Sequence, residues 1–159
     1  MAKSLLDDRA LIPSFHLLTR DGVVFDSLDF KRKRNLVLFF STYPPQDFLL
    51  TLEQASAQIR EQNAEVVFIC PMELSVVENI HRMHRLTYWI LSDENRAVFS
   101  KFIQAQEREE VAALFITDKF GEIFFQVVVS GVEDLPPASD IIKSLMFIES
   151  QCPECGGNF

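Results

Sequence analysis

The sequence has few cysteines, no long apolar segment and fewer basic than acidic residues. Three cysteines in 159 residues are too few for a secreted disulfide framework. No window approaches the ~20 apolar residues of a membrane span, and acidic residues interrupt the N-terminus where a signal peptide needs an apolar stretch. A net charge of −8 disfavours nucleic acid and anionic lipid. We therefore expect a cytoplasmic protein that binds neither nucleic acid nor membranes.

The composition instead favours one globular domain with a large core. Hydrophobic residues make up 48% of the chain, and no internal repeat divides it. Fifteen phenylalanines against two tyrosines and one tryptophan predict a dry interior filled by aromatic rings. We assign residues 1–151 to this domain and residues 152–159 to a C-terminal tail that carries a Cys-x-x-Cys pair.

The first elements are an N-terminal hairpin and a fully buried strand. An Asp-Gly pair at residues 21–22 lies between the apolar segments 15–18 and 23–25, which predicts an antiparallel hairpin. A basic run at 31–34, interpreted as a solvated loop, leads into residues 35–40. This continuous apolar run predicts a strand that is buried on both faces.

The remaining pattern alternates helices and strands. Apolar residues at helical spacing predict helices through residues 48–59 and at 73–86, 95–106 and 139–151. Short apolar runs between these helices predict strands at 65–70, 88–91, 111–117 and 122–129. The last two strands form an antiparallel hairpin because only a short link joins them. The order predicts an α/β sandwich with a mixed central sheet.

Several local strings in this order resemble a known family. They are Ile12–Leu17 followed by an Asp-Gly pair, Leu28–Phe30 before the buried strand, and Phe115–Asp118 followed by Gly121–Ile123. Over about residues 10–150 the chain resembles the redoxin, or alkyl hydroperoxide reductase and thiol-specific antioxidant, branch of the peroxiredoxin and thioredoxin-like superfamily. The resemblance implies a thioredoxin-like, peroxiredoxin-type three-layer sandwich with a mixed central β-sheet, an N-terminal hairpin and flanking helices. It also implies thiol-dependent antioxidant or oxidoreductase activity.

The segment that resembles the family's active-site turn, Leu36–Phe48, contains no cysteine. The family's peroxidatic cysteine would fall between residues 46 and 48, and a thioredoxin-like alignment puts Pro44 and Asp47 at its two cysteine positions. The family's arginine would fall near Ala112. The resemblance therefore implies that the usual peroxidase mechanism and disulfide exchange at this turn are both lost.

Two polar residues of the turn remain candidates for binding. Thr42 matches the threonine of the motif, and Asp47 lies where a helix N-terminus is expected, so it is a favourable cap. An anion or carboxyl group bound at that terminus is one interpretation. The other is an inert turn that is capped by its own side chains.

The tail pair, Cys152 and Cys155, is the candidate catalytic dithiol. Cys152 continues the apolar stripe of the last helix, with Ile141, Leu145 and Ile148. At this end the negative helix pole, Glu149 and Glu154 are expected to raise the thiol pKa. These surroundings favour a slow dithiol or resolving pair over a fast nucleophile.

A zinc site is the alternative interpretation of the same pair. The Cys-Pro-x-Cys-Gly string resembles a zinc knuckle, which supplies two of the ~4 ligands that structural zinc requires. The others come either from the tail of a second copy in a homodimer or from His81 and His84, which are three residues apart. The third cysteine, Cys70, ends a buried strand and is expected to be an inert hydrophobe.

Two classes of function remain open. One is a redoxin-family antioxidant or thiol–disulfide oxidoreductase that uses Cys152 and Cys155 on a protein dithiol or disulfide partner and needs no cofactor. The other is a catalytically silent thioredoxin-fold module that binds a protein, with a tail that is either inert or a zinc knuckle that bridges a dimer.

Overall fold

The computed structural model describes residues 1–19 and 22–151. The strands are β1 (Lys3–Ser4), β2 (His16–Leu18), β3 (Val24–Asp26), β4 (Asn35–Ser41), β5 (Ala64–Cys70), β6 (Trp89–Ser92), β7 (Ile103–Gln104), β8 (Ala112–Thr117) and β9 (Ile123–Val129). The helices are α1 (Gln46–Glu61), α2 (Leu74–His84), α3 (Phe99–Phe102) and α4 (Ala138–Gln151). Within these ranges no helix has both the length and the apolar run needed to cross a bilayer.

A five-stranded mixed sheet forms the middle layer, in the order β6-β5-β4-β8-β9. Strand β4 pairs parallel with β5 and antiparallel with β8. All seven residues of β4 are buried, as the continuous apolar run predicts. The predicted β8–β9 hairpin is confirmed, and so is the N-terminal hairpin, in which His16 of β2 lies opposite Asp26 of β3.

The two faces of β4 carry different layers because successive side chains point to opposite sides of a sheet. Val37 and Phe39 pack with α1, α2 and α4 in one hydrophobic cluster. Leu38 and Phe40 belong to a second cluster that contains Phe15 and other residues of the hairpin and α3. The result is the predicted three-layer α/β sandwich.

The aromatic interior predicted from the composition lies largely in this second cluster. The ring of Phe40 lies 5.2 Å from that of Phe99, 4.9 Å from that of Phe102 and 5.6 Å from that of Phe115, between ring centroids. Such edge and tilted contacts add to the hydrophobic stabilisation that burial alone provides.

The helix predicted over residues 95–106 is wrong in extent. Only residues 99–102 are helical, and Ile103–Gln104 pair instead with Lys3–Ser4. Arg96 has a φ of 59°, which breaks a right-handed helix, and the Asp93 carboxylate accepts hydrogen bonds from the backbone N–H groups of Val98 (3.2 Å) and Phe99 (2.7 Å). One helical turn and a short strand therefore bury the apolar side chains on which the helix prediction rested, Val98, Phe99, Phe102 and Ile103.

Candidate functional site

The cysteine-free turn joins the end of β4 to the start of α1, and Thr42 ties it to β8. The Thr42 backbone N–H donates to the Val111 carbonyl oxygen (3.0 Å), and the Val111 N–H donates to Thr42 Oγ1 (3.0 Å). The Thr42 hydroxyl group also donates to the Val111 carbonyl (3.4 Å). Thr42 is only 5% exposed. These bonds extend the pairing of β4 and β8 by one residue, so Thr42 closes the turn.

The start of α1 differs from the predicted capping. The residue in the N-cap position is Pro45, and no side chain accepts a capping hydrogen bond there. Asp47 is exposed in the first helical turn. At that position its carboxylate stabilises the helix through the dipole, typically by about 0.3–1 kcal/mol.

A groove of about 440 Å³ lies over the turn. Its walls include Tyr43, whose side chain is 67% exposed, together with Pro44 and Pro45. Among the residues that the structure describes, two carboxylates, Glu110 and Glu133, line the groove, and no lysine or arginine does. A helix N-terminus by itself favours an anion or carboxyl ligand, but the two carboxylates would repel such a ligand from this groove.

The segment after β9 supplies one wall of this groove. Glu133 lies against Gly131: a Cβ atom on Gly131 would come within 2.5 Å of the Glu133 carboxylate. The absence of a side chain at residue 131 therefore lets the Glu133 carboxylate approach the backbone. One of the two carboxylates of the groove therefore lies close to the backbone beside the turn.

Cys70, at the end of β5, is a buried and inert thiol. Its residue exposure is 0%, and its Sγ donates to the Leu91 carbonyl oxygen at 3.7 Å. The pKa of the Cys70 thiol is raised to about 12, mainly by burial; a hydrogen bond with the Met72 backbone lowers it in part, and the charge of Asp93 contributes to the rise. A thiol with this pKa supplies almost no thiolate near neutral pH. The interpretation of Cys70 as a small hydrophobe agrees with this environment.

The candidate dithiol, Cys152 and Cys155, lies outside the described residues. The helix before it does have the predicted stripe, because Ile141, Leu145 and Ile148 are all buried. Near its end, Glu149 Oε2 accepts a hydrogen bond from Asn35 Nδ2 (3.1 Å). Asn35 begins β4, so the end of α4 lies at the opposite end of the sheet from Thr42.

The described residues offer no ready metal site. No group of three or more His, Cys, Asp or Glu side chains in residues 1–19 and 22–151 is arranged to hold a metal ion. His81 and His84 both lie in the last turn of α2. A zinc ion would thus need ligands from outside these ranges.

The sequence interpretation missed Val111, Glu110 and Glu133. These residues come from the segments that precede β8 and follow β9, and side-chain periodicity does not indicate what such loops contact. One signal was present: the Ser-Gly pair at residues 130–131 interrupts the apolar pattern just where the chain passes the turn.

The chain belongs to the AhpC/TSA family, whose sequence profile matches residues 9–126. No curated protein matches the sequence significantly. The family assignment agrees with the resemblance found in the local strings, and the fold is thioredoxin-like of the peroxiredoxin type.

Solved structures share this fold at low sequence identity. Peroxidoxin BcpB from Mycobacterium tuberculosis is 16% identical with a TM-score of 0.73, over 90% of this chain and 96% of that one. The reduced 2-Cys peroxiredoxin of Plasmodium vivax is 14% identical with a TM-score of 0.70, over 91% and 97%. A thioredoxin family thiol:disulfide interchange protein from Chlorobium tepidum is 18% identical with a TM-score of 0.65, over 89% and 97%. At these identities the likeness concerns the fold alone.

A protein in which Cys70 is the sole thiol tests whether the fold conceals a reactive cysteine. In the Cys152→Ser/Cys155→Ser variant, we expect iodoacetamide at about pH 8 to leave the folded protein unmodified, because burial raises the Cys70 pKa. Intact-mass spectrometry should show one added group only after unfolding in urea. Equal labelling rates in the folded and unfolded protein would contradict the inert environment.

Proposed function

We propose that this redoxin-family protein binds a partner over the cysteine-free turn and performs no thiol chemistry there. The observation that carries the proposal is the turn itself. The Thr42 hydroxyl group is engaged in hydrogen bonds with the backbone of Val111, and no residue of the turn is a cysteine. Cys70, at the end of the neighbouring strand, is buried with a raised pKa.

The chemistry of the groove favours a basic segment of a partner protein. Glu110 and Glu133 supply two carboxylates without a lysine or arginine in the lining. The exposed Tyr43 ring beside Pro44 and Pro45 provides apolar contact area and a face for a cation. A peptide that presents lysine or arginine side chains is complementary to this surface in charge.

Fluorescence anisotropy with a labelled oligopeptide of alternating lysine and alanine tests this complementarity. We expect saturable binding that the Glu110→Gln/Glu133→Gln variant weakens about two- to tenfold, because two partly solvated ion pairs are lost. A peptide of alternating glutamate and alanine should not bind.

The matched control is the Asp29→Asn/Glu61→Gln variant, which removes the same charge at two exposed positions outside the groove. If this control weakens binding as much as the groove variant, only the net charge of the protein matters and the proposed site is refuted. Equal binding of both peptides would refute it as well.

A second candidate function is a thiol–disulfide oxidoreductase that works through Cys152 and Cys155. In one cycle the two thiols give up two electrons and two protons and form one disulfide, while a partner disulfide is reduced to two thiols. The position of α4 supports this candidate. Glu149 hydrogen-bonds to Asn35, which directly follows the basic run 31–34, so the last turn of α4 lies beside positively charged residues, and positive charge generally favours thiolate formation.

Zinc binding by the same two cysteines is the structural alternative. Helix α1 packs against α4, whereas α2 packs against β6, the strand at the other edge of the same sheet. Adjacent helix axes are about 8–10 Å apart, so α2 and α4 are separated by about twice that distance. Because Cys152 is bonded directly to Gln151, this arrangement favours the tail of a second copy over His81 and His84 as the source of further ligands.

Reduction of insulin disulfides, with dithiothreitol as electron donor, distinguishes the tail candidates. We expect the wild-type protein to accelerate insulin precipitation, and Cys152→Ser and Cys155→Ser each to abolish that acceleration, because a lone thiol cannot complete the two-electron cycle. Native mass spectrometry of the same samples detects bound zinc and dimers. Wild-type activity no greater than that of the serine variants would rule out the dithiol, whereas a zinc-bridged dimer would assign the tail a structural role.

A further inference from the structure

A second pocket lies at the opposite end of β4 from the turn. It has a volume of about 240 Å³ and shares no lining residue with the groove over the turn. Leu36, near the start of β4, is part of its wall, and Thr42 is six residues further along the chain. At about 3.3 Å per residue, the two sites are about 20 Å apart.

Apolar side chains form most of the pocket wall. Leu36 is buried, Phe30 and Phe120 are half-buried, and Leu11 and Leu28 are 64% and 56% exposed. Two leucines with most of their surface in water at the mouth of a pocket are unfavourable for the free protein. An apolar ligand group that enters the pocket would remove part of the surface of these two leucines from water.

Positive charge dominates the polar side chains of the pocket. In residues 1–19 and 22–151, its lining has three cations, Lys31, Arg34 and Lys119, against one carboxylate, Asp118. The Asp118 charge is partly satisfied, because its Oδ1 accepts hydrogen bonds at 2.9 Å from the N–H groups of Phe120 and Glu122.

The three cations differ in how much of their charge is compensated. Arg34 Nε lies 3.2 Å from Glu65 Oε2, and its Nη2 donates to the carbonyl oxygens of Arg60 and Ala64. Lys31 and Lys119 have no such partner: in the part of the chain that the structure describes, neither ammonium group forms an ion pair with a carboxylate. These two lysines therefore supply the uncompensated charge of the pocket.

Backbone hydrogen bonds hold the walls of the pocket together. The Arg32 N–H donates to the Lys119 carbonyl oxygen at 2.6 Å, which joins the basic loop to the β8–β9 connection. The Ile12 N–H donates to the Gly121 carbonyl oxygen at 2.9 Å, which joins the N-terminal segment to the same connection. Because these bonds are made within the chain itself, binding does not have to order the walls of the pocket.

We propose that this pocket binds a small amphipathic anion: an apolar ring or short chain with one carboxylate. A cavity of about 150 Å³ suffices for benzene, so about 240 Å³ accommodates a ring with a short acidic substituent. The ring contacts Phe30, Leu36 and Phe120, and the carboxylate lies between Lys31 and Lys119. This site is independent of the binding function proposed for the turn.

Phenylacetate is the probe, and amide ¹H–¹⁵N NMR spectra of the full chain are the measurement. We expect saturable shifts at the amides of Phe30, Lys119 and Gly121. Phenylacetamide, which has the same ring without the charge, and acetate, which has the charge without the ring, should each bind more weakly. Lys31→Gln and Lys119→Gln should each weaken phenylacetate binding about two- to fivefold, as expected for the loss of one partly solvated ion pair.

Lys33→Gln is the matched control, because Lys33 is an exposed member of the same basic run and does not line the pocket. It should leave the affinity for phenylacetate unchanged, and the dispersion of each variant's spectrum shows that it is folded. The proposal is overturned if phenylacetate causes no saturable shift, if phenylacetamide binds equally well, or if Lys33→Gln has the same effect as Lys119→Gln. A shift confined to residues outside the pocket also overturns it.

Discussion

The antiparallel pairing of β4 with β8 is the contact on which the rest of the structure depends. Strand β4 is buried along its whole length and separates two hydrophobic clusters, one under the helices and one under the hairpin. Thr42 and Val111 continue this pairing beyond the strand. The same ladder therefore holds the core together and fixes Thr42 at the start of the turn, while connecting segments supply most of the other residues that line the groove.

The two ends of β4 present opposite chemistry. The groove beyond its last residue is lined by carboxylates, and the pocket at its start by lysines and an arginine. Charges that lie about 20 Å apart at the surface are largely screened from each other at physiological ionic strength. The two proposed sites are thus electrostatically independent of each other, although the chain as a whole has a net charge of −8.

Much of the fold could be predicted from the sequence because its core strands are continuous apolar runs. Most predicted strands and helices begin and end within a few residues of the observed ones. The segment 95–106 is the exception: its apolar residues at helical spacing fit equally well a single turn that continues into a strand. Whether such a segment stays helical depends on Asp93 and on the distant pairing with β1, and neither is visible in a local pattern.

The site was less predictable than the fold. Thr42 could be selected because it belongs to a motif string, but its hydrogen bonds run to Val111, which is 69 residues away in sequence. Glu110 and Glu133 come from two separate loops, and only the folded sheet brings them together beside the turn. Composition gives the overall sign of the charge, whereas the separation of acidic and basic side chains between the two ends of β4 follows from topology.

We propose that the family fold persists here without peroxidase chemistry at the turn. Hydrogen peroxide consumption by the Cys152→Ser/Cys155→Ser variant, with dithiothreitol as reductant, tests it most directly. We expect peroxide to disappear no faster than in buffer with the same reductant, because the only thiol left is Cys70, which is buried with its pKa raised to about 12. Turnover that rises in proportion to the concentration of the variant would contradict it.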